Sequence, residues 1–191
     1  MTDPVWTSAV EMLTAWDPSG SGQDSLREAI LAFLHARRDG CRRSCVPGHV
    51  TASALVIDHT GTRALLTLHP RIGRWVQLGG HCEEGDSDIV SAALREATEE
   101  SGITGLRIEP SLAAIHVHPL TCSLGVPTRH LDLQFLAVAP AGAKPFISDE
   151  SLDLRWWPFD ALPDGVDAGL RHLVDVAAAR YRWSSGFHSP G

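Results

Sequence analysis

The chain has 191 residues, of which 43% are hydrophobic and 20% are charged, and these proportions are typical of one globular domain. Asp and Glu number 23 against 16 Lys and Arg, so the formal net charge is −7 at pH 7. An acidic surface repels phosphate backbones and anionic lipids at long range. Binding to nucleic-acid polymers or to membranes is therefore disfavoured, whereas a small phosphorylated molecule can still bind where a metal offsets local negative charge.

The N-terminal residues carry no recognisable targeting signal. The segment Met1 to Thr7 has neither a basic start nor an apolar run, and no apolar run in the chain approaches the ~20 residues of a membrane-spanning helix. Four cysteines, at positions 41, 45, 82 and 122, are too few for a disulfide framework, so we expect reduced thiols. These features predict a cytoplasmic protein.

Two helices are predicted in the first 45 residues. Ala9, Val10 and Leu13 fall at helical spacing ahead of the break at residues 17–22. A second helix is predicted from about Ser25 to Arg37, with Asp24 as its N-cap. Its buried stripe consists of Leu26, Ile30, Phe33 and Leu34. Residues 1–45 are therefore predicted to form an N-terminal helical arm, a candidate partner-binding or dimerising element.

Strands dominate the rest of the chain. Val50–Ile57 and Ala64–Leu68 are predicted to form a hairpin whose turn contains Gly61. Further strands are predicted at 75–78, 106–108, 113–118, 130–139 and 154–157. Helices are predicted at about 88–101 and 169–180, with a short helical turn from residue 160. This order indicates an α+β protein in which helices pack against a mixed β-sheet.

The predicted helix at 88–101 has one acidic face. Glu96, Glu99 and Glu100 stand at positions i, i+3 and i+4, so their carboxylates project from the same side. Like charges at this spacing repel each other, which suggests a compensating cation. Mg²⁺ and Mn²⁺ prefer oxygen ligands of this kind. The opposite face is apolar and is expected to pack on the sheet, through Ile89, Val90, Ala93, Leu94 and Ala97.

Glycines stand on both sides of this helix. The pair Gly79-Gly80 permits a backbone path that other residues avoid, and it can bring a carbonyl oxygen to the same cation. Gly102 directly follows the last residue of the predicted helix and is expected to end it.

The segment from Gly79 to Ile103 resembles the Nudix box, the signature of hydrolases that act on a nucleoside diphosphate linked to another moiety. The second half of that pattern is Arg-Glu-apolar-any-Glu-Glu-any-Gly-apolar, and it is met by residues 95–103, Arg-Glu-Ala-Thr-Glu-Glu-Ser-Gly-Ile. The first half departs from the pattern. Asp86 stands where the family has Glu, and eight residues rather than seven separate it from Arg95. Leu78 replaces a frequent proline.

The resemblance extends from about Val46 to Pro163 and implies the Nudix fold, a mixed β-sheet sandwiched between helices. The Nudix domain is assigned to residues 46–183, including the last helix. The tail at 184–191 is expected to be flexible, because it is rich in Ser, Gly and Pro.

The resemblance also implies a mechanism for a small-molecule diphosphate substrate. In Nudix hydrolases, Mg²⁺ or Mn²⁺ bridges the box glutamates and the diphosphate, and water attacks one phosphorus. By match to the box, Glu96, Glu99 and Glu100 are metal ligands, and Glu96 is also a candidate general base. Gly79 offers its carbonyl as a ligand, and Arg95 orients a glutamate.

Other candidate site residues are assigned from their positions in the chain relative to the box and the predicted strands. Glu150, in the loop before the strand at 154–157, is the choice for a further metal ligand, with Asp149 as its rival. His81, directly after the glycines, is a candidate substrate contact. His116, His118 and His130 are interpreted as strand-edge histidines. Cys41, Cys45 and His49 lack a fourth ligand and the close cysteine pair of most zinc sites, so an ordinary structural role is favoured for these three residues.

Two alternatives to a hydrolase remain open at this stage. An isopentenyl-diphosphate isomerase shares the fold, but its chemistry requires a catalytic Cys beside a His ahead of the box, and no cysteine is convincingly placed there. A non-catalytic Nudix-like domain would bind a nucleotide without cleaving it. The usual mark of such a domain is loss of box glutamates, and Glu96, Glu99 and Glu100 are all present.

Overall fold

Four helices and eight strands occur in the part of the chain that the structure, a computed structural model, describes: residues 3–18, 20–121, 125–147 and 151–185. The helices are α1 (Pro4–Ala15), α2 (Ser21–Ala36), α3 (Ile89–Ser101) and α4 (Ala168–Ser185). The strands are β1 (His49–Ile57), β2 (Arg63–His69), β3 (Arg74–Val76), β4 (Leu78–His81), β5 (Arg107–Ile108), β6 (Ala114–Thr121), β7 (Pro127–Val138) and β8 (Asp153–Pro158). The predicted α+β class is confirmed.

The strands form one mixed sheet around β1 and β7. These two strands run parallel over nine residue pairs, from His49 opposite His130 to Ile57 opposite Val138. The main path of the sheet is β3-β2-β1-β7-β5, with β4 paired to β1, β6 to β7 and β8 to β2. All pairings other than β1–β7 are antiparallel. Since β2 pairs with the end of β1, the first half of β1 is left for β4, which carries the glycine pair.

Helices cover both faces of the sheet. Val50, Ala52, Ala54 and Val56 of β1 belong to the core shared with α1, α2 and α3. Leu55 and Ile57 point to the other face and belong to the core under α4. Successive residues of a strand alternate between faces, so His49, Thr51 and Ser53 lie on the α4 side. The α4 side of the sheet is therefore apolar where α4 covers it and polar beyond the helix, near the start of β1.

The N-terminal helices are docked on the sheet. Leu13, Ile30 and Leu34 are at most 1% exposed and lie in the same core as β1. The side-chain amide of Gln23 pairs with the backbone of Ile115 in β6, donating to its carbonyl at 3.0 Å and accepting from its N–H at 2.7 Å. The apolar stripe of α2 is thus used within the chain. A homodimer formed through these helices remains a prediction.

Tertiary contacts shift some predicted boundaries. Helix α2 begins at Ser21 after Gly20, which makes no side-chain cap, so the predicted N-cap Asp24 lies inside the first turn. The added first turn contains Gln23, whose side chain is held by the backbone of Ile115 in β6. The segment around Asp160 is a turn without a helix.

The predicted strand at 75–78 is two strands with different partners. Residues 74–76 pair with β2, whereas residues 78–81 pair with β1. Gly79 and Gly80 therefore lie within β4, although the sequence predicted that the strand ends before them. The cause is the free first half of β1, which accepts a four-residue partner strand.

Helix α3 has both ends defined by local interactions. Asp88 accepts from the Ser91 N–H at 2.7 Å, and the Ser91 hydroxyl accepts from the Asp88 N–H at 3.1 Å. Gly102 ends the helix in the left-handed conformation, with φ 64°, as predicted. Among the described helices, none has the length and apolar character needed to cross a membrane. The cytoplasmic location stays a prediction.

Replacing Leu13 by Ala should lower the free energy of unfolding of the whole domain by about 2–5 kcal/mol, because it leaves a cavity in the core that α1 shares with the sheet. Urea unfolding followed by circular dichroism measures this change. The matched control is Glu11→Ala on the exposed face of the same helix, expected within about 0.5 kcal/mol of the unmodified chain. Loss of helix signal with an unchanged sheet transition would contradict a shared core.

Candidate active site

Four carboxylates converge on the guanidinium of Arg95. Its Nη1 donates to Glu96 Oε1 at 3.0 Å and to Glu99 Oε2 at 3.1 Å. Its Nε and Nη2 donate to the two carboxylate oxygens of Asp86 at 3.0 and 3.1 Å, and Glu83 lies 3.9 Å away. One positive charge thus faces four negative charges. The excess negative charge is of the kind that a bound divalent cation offsets.

Asp86 holds Arg95 from the loop before α3. The side chain of Asp86 is only 5% exposed, and its Oδ2 also accepts from the Glu83 N–H at 2.7 Å. Burial raises the pKa of this carboxyl, but hydrogen bonds from Arg95 and from Glu83 N–H outweigh burial, so the pKa lies below its usual value. The residue inserted relative to the family pattern lies between Asp86 and Arg95, and the two side chains still form a bidentate ion pair.

The glycine pair of β4 lies directly against the glutamates. The Gly79 N–H donates to Glu100 Oε2 at 3.0 Å, and its φ is 155°. A Cβ on Gly79 would lie 2.3 Å from the Cβ of Ser53, so no larger residue fits. A Cβ on Gly80 would lie 2.7 Å from Glu96 Oε2. The absence of side chains here leaves room for the Glu96 carboxylate beside the strand.

The structure places the predicted box glutamates on one helix face but in two groups. Glu96 and Glu99 share Arg95, whereas Glu100 is held by Gly79. Within the described ranges, the three carboxylates do not bring their oxygens within 4.8 Å of one another. Hard oxygen donors and excess negative charge nevertheless fit Mg²⁺ or Mn²⁺. Glu150 and its rival Asp149 lie outside the described residues.

A buried carboxylate lies on the polar face of the sheet, on β7. Asp132 is 3% exposed, and its oxygens accept four side-chain hydrogen bonds. The donors are Thr51 Oγ1 at 3.0 Å, Ser53 Oγ at 2.7 Å, Gln77 Nε2 at 3.0 Å and Gln134 Nε2 at 3.1 Å. This network connects β1, β7 and the link before β4. Sequence reasoning did not find it, because its members are adjacent only across strands.

Three histidines meet beside this network. The ring centroids of His49, His81 and His130 lie 4.9–5.0 Å apart, and one ligand atom of each lies within 4.8 Å of the others. The interpretation of His130 as a strand-edge residue is wrong, because β7 lies between β1 and β6 inside the sheet. His81 also points into this group, and its predicted role as a substrate contact stays a prediction.

Burial is the largest cause of a lowered pKa at each of these imidazoles. The pKa of His81 falls to about 4, and that of His130 to about 3. The pKa of His49 also lies below its usual value. The Arg43 guanidinium lowers the pKa of all three further. The rings are therefore neutral at pH 7, and each carries a lone pair on one nitrogen.

The family of the chain follows from this site and from comparison with known proteins. The NUDIX domain family model matches residues 47–176, which is more than half of the chain. The chain therefore belongs to the Nudix family, as its box predicted, and the expected Nudix-type enzyme is confirmed at that level. A comparison with curated proteins found no match.

Solved structures share the fold at low sequence identity. The C. elegans Ap4A hydrolase binary complex is 22% identical, covering 72% of this chain and 98% of that chain with a TM-score of 0.54. A UDP-X diphosphatase is 16% identical, covering 92% of this chain and 91% of that chain with a TM-score of 0.54. The E. coli dihydroneopterin triphosphate pyrophosphohydrolase is 20% identical, covering 69% of this chain and 95% of that chain with a TM-score of 0.52.

Replacing Asp86 by Asn should lower the free energy of unfolding at pH 7 by about 1–3 kcal/mol, because a buried charge-assisted hydrogen bond to Arg95 is lost. The folded pKa of Asp86 is depressed, so its contribution is present above about pH 3.9 and is lost as the pH falls through the lower folded pKa. Urea unfolding at pH 7 and pH 3 should show the difference between the two proteins shrinking at pH 3.

The matched control for this prediction is Glu84→Gln in the same loop, whose side chain is 92% exposed. It should change the free energy of unfolding by no more than about 0.5 kcal/mol. Equal effects of the Asp86 and Glu84 substitutions would show that the ion pair with Arg95 does not stabilise the loop.

The two glycines of β4 should respond differently to Ala. In Gly79→Ala the new Cβ meets the backbone of β1, which should destabilise the fold. In Gly80→Ala the new Cβ meets only the flexible end of the Glu96 side chain. We therefore expect Gly80→Ala to weaken Mn²⁺ binding at least about tenfold with a smaller loss of stability. Mn²⁺ titration and urea unfolding of both variants measure these effects. Unchanged Mn²⁺ affinity in Gly80→Ala would contradict the predicted role of Glu96 as a metal ligand.

Proposed function

We propose that the protein is a divalent-metal-dependent hydrolase that cleaves the diphosphate linkage of a nucleoside diphosphate derivative or a related small molecule. The observation that carries this proposal is the convergence of four carboxylates on Arg95 beside Gly79 and Gly80. A solvated acidic surface needs neither a shared guanidinium nor a glycine pair. The family match over residues 47–176 supports the same conclusion.

The proposed metal ligands are Glu96, Glu99, Glu100, the Gly79 carbonyl and Glu150, and the proposed ion is Mg²⁺ or Mn²⁺. When bound, such an ion neutralises the charge of a diphosphate and lowers the pKa of water. The protein contributes the positions of the carboxylates that hold the ion.

Glu96, Glu99 and Glu100 each have a defined support in the structure. Arg95 orients Glu96 and Glu99 through charge-assisted hydrogen bonds, and Asp86 fixes Arg95 from the loop. The Gly79 N–H orients Glu100. Glu96, whose side chain is 13% exposed, is also our candidate for the group that accepts the proton of the attacking water. Arg95 is thus proposed as a positioning residue.

The substrate is proposed at the level of the diphosphate. The named relatives act on Ap4A, on UDP-X and on dihydroneopterin triphosphate. These compounds share a chain of linked phosphates and differ in the groups at its ends. His81, which follows Gly80 in β4, is the proposed contact to the substrate. A panel of compounds with different end groups tests which substrate is cleaved.

Glu99→Gln should lower kcat/KM for the cleaved compound at least about 100-fold, because it removes a negative ligand from the metal site. The panel consists of nucleoside triphosphates, ADP-ribose, NADH, dinucleoside polyphosphates, a UDP-sugar, coenzyme A and isopentenyl diphosphate, each with Mg²⁺, with Mn²⁺ and with chelator. The Glu99 side chain is 61% exposed, so the fold should be retained. Glu84→Gln, an exposed carboxylate of the preceding loop, is the control and should keep full activity.

Two results would contradict the hydrolase. One is turnover that persists in chelator or in Glu99→Gln. The other is no turnover of any panel compound while one of them still raises the melting temperature, which would favour a nucleotide-binding domain without catalysis.

A further inference from the structure

We propose that the Nε2 atoms of His49, His81 and His130 form a second metal site, which binds Zn²⁺ and is separate from the carboxylates of α3. The three residues lie on β1, β4 and β7, which are neighbours in the sheet. Their ring centroids are 4.9–5.0 Å apart in every pair. The arrangement is therefore a compact triangle of imidazoles and not a row along one strand.

The same atom lacks a partner in all three rings. Nε2 of His49, of His81 and of His130 is buried without a hydrogen-bond partner among the described residues. A buried polar atom without a partner costs free energy, and native structures satisfy nearly all such atoms. One such nitrogen is an isolated exception, whereas three that face one another indicate a common ligand. A metal ion bound to the three nitrogens would satisfy all of them at once.

The distances suit a small cation after modest adjustment. One ligand atom from each ring lies within 4.8 Å of the other two. In a tetrahedral zinc site, with Zn–N of about 2.0–2.1 Å, two nitrogens lie roughly 3.3 Å apart. The adjustment falls to His81 and His130, which are less buried than His49 and can rotate about their side-chain bonds.

The environment of His49 favours ligation through Nε2. Its Nδ1 lies 3.3 Å from the carbonyl oxygen of Cys45, and a carbonyl oxygen only accepts. Nδ1 therefore carries the proton, and Nε2 presents its lone pair to the group. A histidine metal ligand commonly donates its other ring N–H to a carbonyl in this way. His49 is 1% exposed, so its orientation is also fixed by packing.

Imidazole donors favour a different metal from the one that the carboxylates of the Nudix box favour. Neutral imidazoles suit Zn²⁺ and other transition metals, whereas carboxylates suit Mg²⁺ and Mn²⁺. Three histidines leave a fourth tetrahedral position for water. Ligation would occupy Nε2 of His81 and leave only its Nδ1 for a substrate contact.

Strand β4 connects this site to the carboxylates. The carbonyl oxygen of His81 accepts from Arg95 Nη2 at 2.9 Å, and Gly79 and Gly80 precede it in the same strand. A metal bound by His81 would therefore fix the strand against which Glu96 and Glu100 lie. The site itself does not depend on the proposed hydrolysis, because its ligands are not those of the box.

The test uses the full-length, metal-stripped protein and Co²⁺ as a spectroscopic substitute for Zn²⁺, with Mg²⁺ in excess to occupy oxygen sites. We expect one equivalent of Co²⁺ to give the visible absorption of a tetrahedral site, and Zn²⁺ to displace it. His130→Gln should weaken Co²⁺ binding at least about 100-fold, because it removes a ligand. The control His59→Gln removes an exposed histidine in the hairpin turn and should bind as the unmodified chain does.

Two further measurements distinguish loss of the zinc site from misfolding of a variant and from loss of the carboxylate site. In the unmodified protein, Zn²⁺ should shift the ¹⁵N resonances of three imidazole Nε2 atoms, which requires no variant. Glu99→Gln should bind Co²⁺ normally even where it abolishes hydrolysis, so failure of one proposal is distinguishable from failure of the other. Absence of the tetrahedral absorption, its loss in Glu99→Gln, or its retention in a folded His130→Gln would overturn the site.

Discussion

The guanidinium of Arg95 joins three parts of the structure. It pairs with Asp86 of the loop and with Glu96 and Glu99 of α3, and it donates to the His81 carbonyl of β4. A guanidinium presents five donors in a rigid plane, so it can satisfy several carboxylates at fixed angles. The positions of loop, helix and strand therefore depend on one another. The acidic face of α3 is held in place although its charges repel.

Close packing between α3 and β4 depends equally on the lack of side chains at Gly79 and Gly80. A Cβ at the first would overlap Ser53, and a Cβ at the second would overlap the Glu96 carboxylate. Because α3 buries Ala92, Ala93 and Ala97 on the same side of the sheet, small residues on both elements bring the helix close to the strand. Close approach places Glu100 within reach of the Gly79 N–H.

Alternation along β4 gives its two sides different chemistry. Gly80 faces the carboxylates of α3, whereas His81 faces the imidazoles of His49 and His130. Oxygen donors thus collect on one side of the strand and nitrogen donors on the other. Since these donors prefer different cations, the proposed Mg²⁺ and Zn²⁺ sites differ in ligand type while sharing one backbone segment.

Local spacing in the sequence predicted the acidic helix and the β1–β2 hairpin, because helical and strand spacing act between residues that are near in sequence, and resemblance to a family pattern identified the Nudix box. Only the tertiary structure decided that Asp86 pairs with Arg95 despite the inserted residue, that residues 74–81 form two strands, and that three distant histidines meet. Positions 49, 81 and 130 become neighbours only through the register of β1 with β4 and β7, and pairing between distant strands is not encoded by local spacing.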